Sequence, residues 1–448
     1  MTLSRLCGGV AIGVLLAACA GEGAAHAADR WTFTKIADAS TAIPGGTGNF
    51  SALGIPSLRD GNVAFQGLGP SGSGDLFGQR GIYSTAGGAL GVVADTNTPI
   101  PGGTGTFTGF NGPSLDGDSV AFRGVGRDGQ DGIYSTVGGT LNVVADRNTP
   151  IPGGTGTFTQ FNGPSLSGGS VAFLGVGSGR QEGIYSTVGG TLNVVADRNT
   201  PIPGGTGTFY SFNPAVSLGG ATVAFRAYGG IYGTVGGTLG VVADQATRIP
   251  GSSRTFFSFS EPHVSRDGGS VAFMGRDEIA HEDTPRGEGR EGIYRSVGGT
   301  LGVVVERGTV MPGGQITCDT CSPERFRYFY DISFDGGSVA FETEGDNVYS
   351  STGTFLAAGG TIEEVVYVGM MLDGKTINYV HLGGEGLSDG ALAFRASFTD
   401  RSHALYVAST LGSGFVPPRP IPVPAALPLF GSALALLGVA AWRRRRNG

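Results

Sequence analysis

The stretch DRNTPIPGGTGTFTQFNGPSLSGGSVAFLGVGSGRQEGIYSTVGGTLNVVAD, residues 146–197, is one copy of a unit that fills most of the chain. Its VVAD ending recurs at Asp95, Asp146, Asp197 and Asp244, with a variant ending at Glu306. A VAF or LAF triplet ends at Phe65, Phe122, Phe173, Phe225, Phe273, Phe341 and Phe394. An Ile-Tyr, Val-Tyr or Leu-Tyr pair follows each triplet, at Tyr83, Tyr134, Tyr185, Tyr232, Tyr294, Tyr349 and Tyr406. The unit is therefore present seven times, with a period of about 50 residues in its best-matched copies.

One unit reads as four strands. In GIYSTVGGTLNVVAD (132–146) two β-rich runs flank Gly138-Gly139, and a Gly pair supplies the positive φ that a tight hairpin turn needs. DGDSVAF (116–122) opens on a turn signal, and Val120 and Phe122 share one strand face. TFTGFNGPSL (106–115) is a weaker strand, in which Pro113 predicts an edge or a bulge. Alternation through TLNVVAD puts Leu141, Val143 and Ala145 on one face and Val144 with Asn142 and Asp146 on the other. Apolar residues on both faces predict a sheet covered on both sides.

Four short strands per repeat of this length predict a propeller blade, since solenoid rungs are shorter. The end count decides how the array finishes. WTFTKIAD (31–38) is a VVAD-type strand that precedes any VAF strand, whereas the last copy has Phe394 and Tyr406 and then stops. The N-terminal segment thus supplies the strand missing from the last unit. A ring so closed leaves no open sheet edge. The expected fold is an all-β, seven-bladed propeller of four-stranded repeats over residues 29–410, closed by the N-terminal strand. A linear array of stacked sheets is the competing arrangement, and it leaves residues 31–38 without partners.

Composition narrows the function. Glycine makes up 84 of 448 residues without a collagen-like period, and these glycines fall at turns. The net charge of −7 argues against nucleic acid as a partner, because phosphate binding needs a basic face. There is no G-x-S-x-G, HExxH, P-loop or calcium-loop motif. The five histidines, His26, His263, His281, His381 and His403, are scattered. No cofactor, metal site or catalytic residue is assigned. The Asp closing each VVAD strand either joins a cation-binding ring or accepts hydrogen bonds from nearby turn amides, the second being the commoner role. The recurring loop NTPIPGGTGTF (97–107, 148–158, 199–209) is read as a backbone device and not a phosphate cradle.

Two units carry insertions. GRDEIAHEDTPRGEGREG (275–292) offers Glu278, His281, Glu282 and Asp283 as ligands, although a charged, Gly-flanked run is more simply a solvated loop. In ITCDTCSPERFRYFY (316–330), Phe326, Tyr328, Phe329 and Tyr330 beside Arg325 and Arg327 are either a sugar-stacking surface or the equivalent of the Phe-x-x-Phe strand of other units. Cys318 and Cys321 form a lone Cys-x-x-Cys; in an exported chain a local disulfide is the simplest reading.

The ends give a destination. Residues 1–28 have the basic, apolar and small-residue regions of an export signal, with cleavage between Ala27 and Ala28. Leu16-Ala17-Ala18-Cys19 also resembles a bacterial lipobox, which would make a lipidated Cys19 the mature N-terminus. A Pro-rich spacer (411–424) precedes the C-terminal segment (425–448), whose apolar run is marginally long enough to span a bilayer and is followed by Arg443, Arg444, Arg445 and Arg446. Val423, Pro424 and Ala425, the helix and the Arg cluster together resemble the PEP-CTERM sorting signal of Gram-negative bacteria, nearer its Val-Pro-Leu-Pro-Ala variant than the Val-Pro-Glu-Pro form. The resemblance implies export, recognition by an exosortase, transient membrane anchoring, and association with exopolysaccharide or biofilm. The expected function is a cell-surface or matrix protein whose propeller is a binding or structural module, more in keeping with a non-enzyme. The alternative is a secreted carbohydrate-active hydrolase or lyase on the same ring.

Overall fold

The computed structural model describes residues 30–70, 78–278, 289–312, 324–345 and 352–410. The export signal with Cys19, Ala27 and Ala28, the pair Cys318 and Cys321, the residues His281, Glu282 and Asp283, and everything from the Pro-rich spacer onward lie outside the described residues.

The strands form seven antiparallel sheets, the blades of a propeller. Blade two runs Phe107–Phe110 and Ser114–Asp116, then Ser119–Gly126, Asp131–Ser135 and Asn142–Asp146, in hydrogen-bonded order from axis to rim. The innermost strand is split: both pieces pair with Ser119–Gly126, the first pairing ending at the Asn111 N–H, which donates to the Arg123 carbonyl, and Gly112-Pro113 separates the two. Pro113 therefore breaks the strand, because proline has no N–H to give a ladder. At the rim hairpin Gly138 and Gly139 both take φ 84°.

The small-large alternation of the VAF strand explains how blades stack. Val120 and Phe122 face the preceding blade with Phe107, Phe110, Leu115 and Tyr134, where they meet Ala64, Ile82 and Ala94 of blade one. On the other face Ala121, Ile133 and Ala145 meet Phe158, Phe173 and Tyr185 of blade three. A face of small side chains against a face of aromatics lets the sheets interlock. Seven such buried clusters occupy the seven interfaces. Within blade two, Phe107 meets Tyr134 edge-on at 4.9 Å and Phe122 at 5.9 Å, and the arrangement repeats in blades one and three to six.

Closure is as the end count requires. Thr32–Asp38 pairs antiparallel with His403–Ser409 as the outer strand of blade seven, with Phe33 opposite Ala408 and Asp38 opposite Ala404. It carries a bulge between Lys35 and Ala37, matching the one opposite Ile133 and Tyr134 in blade two and its counterparts elsewhere. Ala37 joins Leu405 and Val407 against Phe65 and Tyr83 of blade one.

Two expectations change. The outer-strand bulge breaks strict alternation, so Val144 and Ala145 both turn toward the blade-three interface while Val143 is 40% exposed. In blade six the third strand is Gly353–Ala358, and Phe355, not Tyr349, lies opposite Phe341. Tyr349 falls outside the described residues.

Candidate functional site: an axial funnel with a closed floor

The inner strands touch in an unbroken ring, from blade one round to blade seven and back. Their equivalent central positions are Ser57, Ser114, Ser165, Ser217, His263, Ser333 and Gly386. Where serine is present, its hydroxyl ties one blade to the next. Ser57 Oγ accepts the Leu115 N–H (3.1 Å), Ser114 the Leu166 N–H (2.8 Å), Ser165 the Leu218 N–H (3.0 Å), Ser217 the Val264 N–H (2.9 Å) and Ser333 the Leu387 N–H (2.9 Å). An inner-edge N–H has no ladder partner, and these hydroxyls satisfy it.

Blade seven departs from the pattern and closes the axis. Its inner strand loses register between Leu382 and Leu387, and Gly383-Gly384-Glu385-Gly386 arches across the centre. Glu385 accepts hydrogen bonds from three blades: Ser57 at 2.9 Å on one oxygen, Ser114 at 2.8 Å and Ser165 at 3.1 Å on the other. The Gly384 carbonyl accepts from Ser333 Oγ and lies 3.1 Å from His263 Nδ1, which must carry the proton there because a carbonyl only accepts. Burial holds the His263 imidazole down at about 4, so it is neutral at pH 7. A Cβ on Gly384 would lie 2.6 Å from His263 Cε1. The approach is open only to glycine.

Above this floor is a funnel of about 240 Å³, bordered by Pro56, Pro113, Pro164 and Val216 on one side and by Glu261, His263 and Glu385 on the other. Partial desolvation raises the carboxyls of Glu261 and, in blade six, Asp331. Glu385 is raised for the same reason, against the pull of the serines and Arg59. Beyond the floor, Arg59 sits 3.5 Å from Asp116 and 3.6 Å from Asp335, and Arg266 pairs with Asp60. The axis is therefore a closed funnel and not an open channel. By connectivity, the loops from outer to inner strands and from second to third strands all open on the funnel's face. They include the stems of both inserted loops, at Arg276/Glu291 and Val310/Arg325.

The sequence-derived candidates divide accordingly. The VVAD aspartates sit on outer strands, away from the axis, and cap turns: Asp146 Oδ1 accepts from the Asn148 N–H (2.9 Å) and the Thr149 hydroxyl (2.8 Å), and Asp95 and Asp197 do the same. Phe326 and Phe329 are the blade-six equivalents of Phe107 and Phe110 and are buried. Tyr328 takes Arg327 and Arg307 over its ring, and Tyr330 is exposed and donates to Glu344 (2.8 Å). His381 lies 4.4 Å from Tyr379 on the inner strand of blade seven, His403 is in that blade's third strand, and His263 is on the inner strand of blade five. Among the described residues no group of three His, Cys, Asp or Glu side chains forms a metal site, and no helix is long and apolar enough to cross a membrane.

A family model described as a family of unknown function, DUF7453, matches residues 17–173, 118–218 and 215–414. The chain belongs to the DUF7453 family. No curated protein sequence matches the DUF7453 chain. Among solved structures, the β-propeller domain of the Trilobed protease from Pyrococcus furiosus is 11% identical, with a TM-score of 0.46 over 82% of this chain and 100% of that one. A polysaccharide lyase, an ulvan lyase, is 12% identical, with a TM-score of 0.36 over 83% and 94%. A prolyl endopeptidase is 14% identical, with a TM-score of 0.43 over 82% and 51%.

Proposed function

We propose that this DUF7453 protein is an exported cell-surface or extracellular-matrix protein whose propeller is a binding module. The observation that carries the binding half is the division between the faces. One end of the ring gathers the variable loops around a closed funnel, while the other is finished by short Gly turns and ion pairs. Loops on a rigid scaffold are where binding residues concentrate. The location half rests on the sequence: an export signal ending at Ala27, and Val423, Pro424, Ala425 and Arg443 to Arg446 as an exosortase-type sorting signal. In this reading the C-terminal helix holds the chain in the membrane until an exosortase processes it.

The test is the intact mass of the mature protein from its native host, with both termini mapped and the cell fractions assayed. A start at Ala28, loss of the Arg cluster, and recovery from the surface or matrix are expected. A cytoplasmic protein with both ends intact overturns the reading. A lipidated Cys19 with Arg443 to Arg446 retained overturns the sorting signal alone.

A further inference from the structure

The groove between blades four and five differs from its counterparts. In blades two and three the second and third strands are joined through short helical turns at Arg127–Gly129 and Ser178–Arg180. Gln130 and Gln181, which follow those turns, hydrogen-bond to the Thr104 and Thr155 loops, and the cavity beside Gln130 is lined by Asp128, Asp131 and Asp146 and by no exposed aromatic ring. In blade four the second strand ends at Ala227 and the third begins at Gly230, leaving only Tyr228-Gly229 between them. The shortened connection opens a groove of about 330 Å³, at the lower end of the roughly 300–1,000 Å³ usual for ligand sites.

What lines this groove is also unlike the other blades. Tyr228, 64% exposed, and Phe257, 46% exposed, line it, and Tyr210, 50% exposed, stands beside it with its ring 4.8 Å from that of Tyr228. Tyr210 and Phe257 each follow the first Phe of their unit, a place held in blades two and three by Thr108 and Thr159, which bond back to the next strand's carbonyls. Thus threonines that serve the fold are exchanged for aromatic rings left to solvent. Between these rings the groove presents Asn213, Gln245 and Arg226. Arg226 is its one charged residue, anchored by donating to the Phe259 carbonyl at 2.9 Å, and no carboxylate lines the groove. Glu261, which attracts Arg226, belongs to the funnel lining.

Flat exposed rings beside amide and guanidinium donors suit a ligand with an apolar C–H face and a hydroxyl-bearing edge. A lone arginine on a protein of net charge −7 adds a preference for a carboxylate. We propose that this groove binds an acidic oligosaccharide, with Tyr228, Tyr210 and Phe257 stacking on sugar rings and Arg226 pairing with a uronate carboxylate. The proposal rests on the propeller being a binding module and gives it a ligand class and a place.

The test uses the mature protein with two probes of equal length, oligogalacturonate and a neutral cello-oligosaccharide, titrated by calorimetry. Oligogalacturonate should bind more tightly. Tyr228→Ala and Phe257→Ala, at exposed positions that leave the fold intact, should each weaken it about tenfold or more. Arg226→Gln should remove the advantage over the neutral probe. Binding of neither probe, or binding that Tyr228→Ala and Phe257→Ala leave unchanged, overturns the site. Equal binding of both probes by the unaltered protein overturns the acidic assignment. These outcomes are independent of the terminus mapping, so failure of the groove and failure of the surface location are told apart.

Discussion

Replacing Glu342 by Gln should stabilise the protein above neutral pH and change little near pH 4. Glu342 follows Phe341 on the second strand of blade six, where blade two has Arg123 and blade three Leu174. It is 4% exposed, and among the described residues no cation pairs with it; its one oxygen accepts the Leu382 N–H at the last residue before the axial arch. Burial, chiefly, pushes the carboxyl from an ordinary 4.5 up to about 8. A raised carboxyl pKa means that the folded state holds the proton more tightly than the unfolded one. This group's contribution is therefore favourable below the unfolded value and is lost as pH rises through 4.5 toward 8. Each unit is worth about 1.4 kcal/mol, so the loss reaches about 5 kcal/mol by pH 9. Glutamine keeps a carbonyl for the Leu382 N–H and carries no charge to desolvate. Urea denaturation at pH 4.5, 7 and 9 should show the variant gaining on the wild type at each step, by several kcal/mol overall. A difference that stays constant with pH, or a variant less stable at pH 9, would refute the buried unpaired carboxylate.

Other expectations follow from the axis and the closure. Glu385→Ala leaves the hydroxyls of Ser57, Ser114 and Ser165 without their acceptor and should cost about 2–4 kcal/mol in denaturant unfolding, with Glu385→Gln milder; equal stability of both with the wild type would show the floor to be energetically idle. Gly384→Ala forces His263 aside and should cost about 1–3 kcal/mol, recovered in part by adding His263→Ser, which installs the serine that five other blades have at that place; no recovery would place the strain in the backbone instead. Removing residues 30–38 exposes the edge of His403–Ser409 and should yield dimers or aggregates by size-exclusion scattering, reversed by a peptide of that sequence; a stable monomer without the peptide would contradict the closure.

The blade count and closure were legible because repetition exposes period, strand content and the odd strand at the start. Covered faces were legible in VAF, where alanine and aromatic alternate. The bulge at Val144 was not, since inserting one residue leaves no mark in an apolar run. Blade six was misread at Tyr349 because its connection brings an extra Val-Tyr pair. The turn glycines give the true register: Tyr134 lies four residues before Gly138, and Phe355 four before Gly359. The axial floor was the least legible part. Pro-Ser-Leu at 56–58, 113–115 and 164–166 marks the serine ring, but Glu385 is conspicuous only as a departure from it, and its partners lie hundreds of residues away. The groove at blade four hides in a shortened connection that reads, in one dimension, as a small gap between repeats.

The pairing of Thr32–Asp38 with His403–Ser409 also sets an order of events. The strand that completes the last blade is the first of the propeller to be made, and it waits for the rest of the ring before it finds a partner. Until then the chain is an arc with an unpaired strand at its end, open to pairing with another copy. Contacts of such long sequence separation form slowly. Adjacent blades can assemble locally, but the final step belongs to the whole chain, and a truncated product lacking blade seven would keep a sticky edge.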